Sequence, residues 1–521
     1  MIKIRLSIAA LATLAVLLVA GCGSGGSSAG SSSGSGPASL AAPGSLVYVE
    51  GNLKPTGELK SNIDSAAETI AGVDNLGDFV VSELESSAQD EGQTVDFNKE
   101  IKPWLGKTAG VAFEHLEGGE LSEPLIAVQT TDTKASQEFI DRRAAESREP
   151  YEDSSYSGVE FTVGGPEGNA TGVIGEWLVI ADGEKAFKAA VDASGGDSLA
   201  GEDRFQTAFD AASNGSIADI YVDIGGIIGQ SGDETGSQAK DALEGAGIDP
   251  SEATAVASVI PGSDQIEVEL SSELGGAKAP SGNASKLLGE MPPSSFAAFA
   301  ASGFAEQLEE SIDELDASGI PPELGPDELK STLSQAGIDL DKIAASLEDA
   351  AVYAEGNSKE SLGGALVVTA KGSEAVDAIA SLGTLLRGAG VPGVTAVGGK
   401  ASGFSIHGRG LDNPIVVTAK DGRIAIGYGL AQTLQGLEAG SGATLSGSPE
   451  YKAAVSSLGK TPISGFVDGG PALKLAEALV PRSKKGFWDA VPYLKKISYI
   501  ALGSATGDEP ATAKLIAGLA K

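Results

Sequence analysis

A single cysteine, Cys22, serves a chain of 521 residues, so everything after it must fold without a disulfide, a thiolate nucleophile or a cysteine metal site. Stability then has to come from buried apolar surface. With 41% hydrophobic residues, a chain of this length has room for two or more cores. Aromatic residues make up only 5%, too few for a sugar-binding platform of stacked rings. The formal charge of −36 repels polyanions, and the largest basic cluster, Arg482-Ser483-Lys484-Lys485, is small for displacing counterions from a nucleic acid. No nucleic-acid partner is expected, and the cluster is read as a solvated loop.

The position of the cysteine matters as much as its solitude. Lys3 and Arg5 give a positive start, and residues 8–19 are almost wholly Ala, Leu, Val and Ile, the build of a secretory signal peptide. A helix that spans a bilayer needs about 20 apolar residues, so insertion followed by cleavage suits this run better than a permanent anchor. It closes on Val19-Ala20-Gly21-Cys22, which resembles the lipobox of bacterial lipoproteins. That resemblance implies a signal peptide over residues 1–21, diacylglycerol on the thiol of Cys22, and a chain held at the extracytoplasmic face of the cell membrane. Residues 22–42, nearly all Gly, Ser and Ala, are expected to form a flexible tether with a reach of about 25 Å. Within it Gly30-Ser31-Ser32-Ser33-Gly34 fits the G-x-S-x-G pattern of serine hydrolases, a motif with meaning only on a strand-to-helix elbow.

Comparing the chain with itself indicates a duplication. The stretch from Leu199 through Phe205 to Ala208 aligns without a gap with the stretch from Leu445 through Tyr451 to Ala454, and Tyr221-Val222-Asp223 then aligns with Phe466-Val467-Asp468. Pro43 answers Pro293. The helical set Leu59, Ile63, Ala67 and Ile70 answers Phe304, Leu308, Ile312 and Leu315, both at the spacing of one helix face. The expected fold class is therefore α+β, as two tandem homologous domains over residues 43–285 and 286–521, each with a mainly antiparallel sheet and packed helices. In the first, helices are expected over 58–71 and 134–146 and strands over 110–114, 125–130, 159–163 and 178–181. Closing hairpins are expected over 255–270, turning at Pro261-Gly262-Ser263-Asp264, and over 497–519, turning near Gly507-Asp508.

The opening strand after Pro43, the run Ile101-Lys102-Pro103-Trp104-Leu105-Gly106, the stretch ending Tyr221-Val222-Asp223, and the segment 494–503 resemble the bacterial lipoprotein-type family known as domain of unknown function 3352. The second half lacks the Pro-Trp-Leu-Gly run and has Ala344-Ala345-Ser346-Leu347-Glu348 in its place. The resemblance implies an architecture and no established activity.

Residues able to do chemistry are few. His115, beside Glu114 and Glu117, and His407, after Phe404-Ser405-Ile406, are the only histidines, and no nucleophile motif stands near either. Gly398-Gly399-Lys400-Ala401-Ser402 lacks the spacing of a phosphate-binding loop. Ser457-Leu458-Gly459-Lys460 has S-x-x-K spacing without its companion motifs. Glu306, Glu309, Glu310, Asp313 and Glu314 fall opposite Phe304, Leu308 and Ile312 as a solvated helix face requires. Asp223 and Asp468, the best duplicated polar pair, are expected to cap the helices that follow their strands. The sequence thus points to a non-enzymatic, lipid-anchored cell-envelope protein that binds or scaffolds a partner, with no catalytic residue, cofactor or metal. The alternative is a carrier of a lipid or other apolar ligand.

Overall fold

The computed structural model describes residues 36–90, 95–147, 149–165, 168–231, 234–245, 248–273, 282–305, 333–334, 338–399, 401–408, 410–505 and 511–520. Cys22 and the signal peptide lie outside the described residues. So do the Gly30–Gly34 motif, Lys400, Leu308, Ile312, Leu315 and their acidic neighbours, and the turn at Gly507-Asp508.

The alternation Val47-Tyr48-Val49 places side chains on opposite faces of a strand, and here both faces are buried. Strand Val47–Asn52 lies between Leu105–Glu117 and Ala218–Asp223, antiparallel to each, with Tyr48 opposite Ala112 on one side and Tyr221 on the other. The ladder continues beyond Leu105–Glu117 through Glu120–Thr130, Trp177–Ala181, Asn169–Ile174, Val159–Gly164 and Tyr151–Tyr156. In the other direction it continues through Thr254–Pro261 and Gln265–Glu273. On one face Tyr48, Phe161, Phe187, Phe205 and Tyr221 form the core, while Val47, Val49, Val111 and Phe113 pack on the other. Helix Gly57–Ala71 ends at Gly72, whose φ of 71° is the left-handed closure that glycine adopts without cost.

The fold begins earlier than its first strand. Residues Pro37–Leu40 form a single 3-10 turn with Ala38, Leu40 and Ala41 buried in the main core, so this part of the expected tether belongs to the folded body. Leu199 N–H donates to the Ala41 carbonyl at 3.0 Å. Pro37 lies directly over Gly110, where a Cβ would stand 2.7 Å from the proline Cβ. Glycine at 110 is what lets this plug seat.

In the second half, strand Ser295–Ala301 is flanked by Leu347–Glu355 and Ile463–Asp468. The first neighbour leads on through Gly363–Ala370, Arg423–Tyr428, Ile415–Lys420, Ser402–Ile406 and Val394–Ala396, and the second leads to Ile497–Ala505. Leu288, Met291, Tyr353, Val367, Tyr451, Phe466 and Ile516 make its core.

The expectation of two tandem homologous domains is corrected by this topology. Among the described residues the twenty strands belong to one hydrogen-bonded sheet, and every register described is antiparallel. The described residues divide into two compact units, within the bounds Met1–Lys278 and Ala279–Gly507. The last strand, Ala511–Leu519, is divided between them: Ala511 and Thr512 group with the first unit and the residues from Ala513 onward with the second. Similar stretches of sequence therefore do not mark two self-contained sheets. Among the described residues no helix is long and apolar enough to cross a membrane.

Candidate functional site

The polar residues fall into three groups. The first surrounds Asp223, which ends strand Ala218–Asp223 and is only 2% exposed. Its carboxylate accepts a hydrogen bond from Gly226 N–H at 2.8 Å, the helix-capping contact expected for it. A Cβ at Gly226 would meet the same carboxylate at 2.5 Å. A further partner was not legible in the sequence: Arg204, from helix Asp203–Asp210, makes a short ion pair with Asp223 and also donates to the Ser251 carbonyl at 3.1 Å. A guanidinium on a buried carboxylate supplies both charge and geometry.

Asp468 occupies the corresponding place in a similar local run, a 3-10 turn at Leu445–Gly447, helix Pro449–Leu458 and strand Ile463–Asp468. It caps helix Gly469–Leu479 by accepting from Gly470 N–H at 3.2 Å. In the gap-free register the residue matching Arg204 is Glu450. Burial first, and then the Glu450 charge, push the Asp468 carboxyl above its ordinary range. Two residues alike in sequence context thus meet opposite electrostatics.

The second group is a row of polar residues running across the sheet. Gly110, Glu50, Asp219 and Ser258 stand opposite one another on four adjacent strands. Tyr48, two residues from Glu50 and so on the same face, donates its hydroxyl to Glu50 Oε2 at 2.7 Å. Asp219 accepts from Ser258 Oγ at 2.6 Å and from Ser216 Oγ at 2.8 Å. Glu50 is 8% exposed, and burial pushes its carboxyl up to about 7; the Tyr48 hydrogen bond opposes the shift and the Asp219 charge adds to it. Burial also raises Asp219 and carries the Tyr48 hydroxyl well above its usual range. Tyr-x-Glu alternation puts Tyr48 and Glu50 on one face, but nothing in the sequence shows that this face is buried.

The third group is able to hold a metal ion. Glu114, His115 and Glu123 come from the hairpin of Leu105–Glu117 and Glu120–Thr130, with one ligand atom of each lying within 4.8 Å of the others. His115 Nε2 stands 3.6 Å from Glu123 Oε2. Glu123 reaches it from a backbone with φ of 52°, unusual for a residue other than glycine. Burial raises the Glu114 carboxyl, His115 opposes that shift, and Glu123 adds to it. One imidazole with two carboxylates suits zinc or manganese. Sequence proximity puts Glu114 and Glu117 beside His115; Glu114 does join the group, but the third member, Glu123, comes from the returning strand and not from position 117.

His407 joins its strand's end to Gly393, donating its backbone N–H to that carbonyl at 3.0 Å. Ser457 bonds to the Ala453 carbonyl at 3.0 Å and lies 2.5 Å from the Tyr499 hydroxyl. A recess beside helix Gly183–Gly195 is lined by Glu184, Lys185, Lys188, Ala189 and Asp192.

A family model described as "Protein of unknown function (DUF3352)" matches residues 80–509. No curated protein matches the chain significantly. A solved structure described as "Structure of crystal form III of TP0453" is similar at 13% identity, covering 46% of this chain and 81% of that one with a TM-score of 0.24, a likeness too slight to bear on fold or function.

Proposed function

The chain belongs to the DUF3352 family of proteins of unknown function, matched over most of its length, and from that premise we propose that it is a lipid-anchored envelope protein that binds or scaffolds a partner without catalysing a reaction. The observation that carries the proposal is Val19-Ala20-Gly21-Cys22, small residues leading to the chain's single cysteine at the end of a charged-then-apolar leader. A diacylglycerol on that thiol brings two acyl chains, enough for a stable anchor, since one chain alone holds only marginally.

The engagement of the polar side chains supports a role without catalysis. Asp223 is taken up by Arg204 and a helix start, Asp468 by Gly470 N–H, and Ser457 by Tyr499. Each of these contacts serves the architecture. The carrier alternative finds no support in the recess beside helix Gly183–Gly195, which presents Glu184, Lys185, Lys188 and Asp192, charged groups that an apolar ligand would have to desolvate.

The test is metabolic labelling of the full chain with a clickable fatty acid in a bacterial host that processes lipoproteins. Label should appear on the wild-type chain, and Cys22→Ser should lose both label and cleavage. A Cys22→Ser protein that is cleaved, unlabelled and still retained on membranes would overturn the proposal.

A further inference from the structure

Against a formal charge of −36 for the whole chain, one short segment reverses sign. Between Val480 and Lys496 stand Arg482, Lys484, Lys485, Lys495 and Lys496, with Asp489 the sole acid. The structure turns this stretch into a shaped surface. Helix Lys485–Leu494 follows helix Gly469–Leu479 through a short loop. Trp488 Nε1–H donates to the Pro481 carbonyl at 3.2 Å, and the Arg482 guanidinium lies 3.6 Å from the centre of the Trp488 ring. At the far end Lys495 Nζ meets Glu477 Oε1 at 3.2 Å, tying the end of the second helix to the first.

The helix buries Val491 and half-buries Phe487, Trp488 and Leu494, while Lys485, Asp489, Pro492 and Tyr493 face solvent. Tyr493 is 53% exposed and Leu479 on the neighbouring helix 46%. Among the described residues no carboxylate pairs with Lys484, Lys485 or Lys496. Lysines without a carboxylate partner thus stand on the same helix pair as the exposed Tyr493 and Leu479. Amphipathic rings beside long cationic side chains are what the boundary between water and an anionic bilayer favours, with rings at headgroup level and ammonium groups reaching phosphates.

We propose that residues 480–496 form a second membrane contact, docking on the anionic headgroups of a lipid surface. The location of that surface rests on the lipoprotein reading, in which the acylated Cys22 brings the bilayer within reach. Acidic surface elsewhere is repelled by the same headgroups, so this contact fixes which face of the second unit meets the membrane.

The experiment uses the chain from Gly23 onward, which keeps every described residue and carries neither leader nor acyl chain. Sedimentation is compared with vesicles of phosphatidylcholine alone and of phosphatidylcholine with phosphatidylglycerol. Of the three tryptophans, Trp104 and Trp177 are buried, so a blue shift of emission on adding vesicles reports on Trp488. The expected results are binding to the anionic vesicles only, a blue shift, and a loss of roughly five-fold per cation removed, hence about 25-fold for the double variant Lys484→Ala with Lys485→Ala. Both lysines are exposed, and an unchanged thermal melt will show that the variant is folded. Equal binding to both vesicle types, no binding, or unaltered binding by the double variant overturns the proposal. So does displacement by inorganic phosphate beyond that by chloride at matched ionic strength, which would assign the site to a free phosphate, or preferential retention of single-stranded DNA. Loss of acyl label at Cys22 is read separately on the full chain, so either idea can fail alone.

Discussion

Asp223 and Glu50 are both buried carboxylates, and the chain treats them differently. Asp223 receives a guanidinium; Glu50 receives one phenolic hydroxyl and faces another carboxylate across the strand pair. The consequence is thermodynamic. Its pKa rises from 4.5 to about 7 in the fold, so the folded state holds the proton more tightly than the unfolded chain does. The stability linked to that proton is fully present below pH 4.5 and is lost as pH rises to about 7. Glu50→Gln keeps an oxygen for Tyr48 and removes the titration. It should raise the unfolding free energy by about 3 kcal/mol at pH 8 and change it little at pH 4, as denaturant unfolding at the two pH values would show. An equal effect at both would mean that Glu50 does not titrate in this way. None of this was legible in Tyr48-Val49-Glu50 as letters, because burial of a face is decided by what packs on it, here the turn at Pro37–Leu40.

Among the elements, the helix starts were the most legible. Their signals are local: an acceptor side chain, glycine or proline in the first turn, and periodic apolar positions. Helix Gly57–Ala71, helix Thr133–Glu146 and both aspartate caps follow from such signals. Strand lengths did not, since Leu105–Glu117 runs well past its expected apolar centre at 110–114 into a polar hairpin, where backbone pairing rather than side-chain pattern sets the limit. The caps themselves separate under mutation. Asp468→Asn retains an acceptor and removes a charge near Glu450, so its thermal stability should be unchanged or slightly raised. Asp223→Asn also retains the cap but leaves Arg204 without its counter-ion, and should cost about 1–3 kcal/mol. Equal melting shifts for the two variants would show that the Arg204 pair contributes nothing.

At the scale of the whole molecule, similar sequence stretches suggested two closed domains, yet the strands form one sheet. Main-chain hydrogen bonds join strands without regard to side-chain identity, so self-comparison reveals related segments and not where a sheet ends. The start of the final strand belongs with the first unit, where Ser272 Oγ donates to the Ala511 carbonyl at 3.4 Å. Deleting residues from 506 onward should therefore accelerate amide exchange in Thr254–Pro261 and Gln265–Glu273, far away in sequence; unchanged exchange there would refute the dependence. The plug at the other end has a mechanical meaning. Whatever holds the chain upstream of Gly36, a pull along it arrives first at Pro37–Ala41, seated on Gly110 and bonded to Leu199. Behind that plug lie full strand ladders that must be sheared or unzipped many bonds together, whereas the plug can peel away almost singly. Under tension the molecule should lengthen by a few residues there and stop, a compliant link in series with a stiff body.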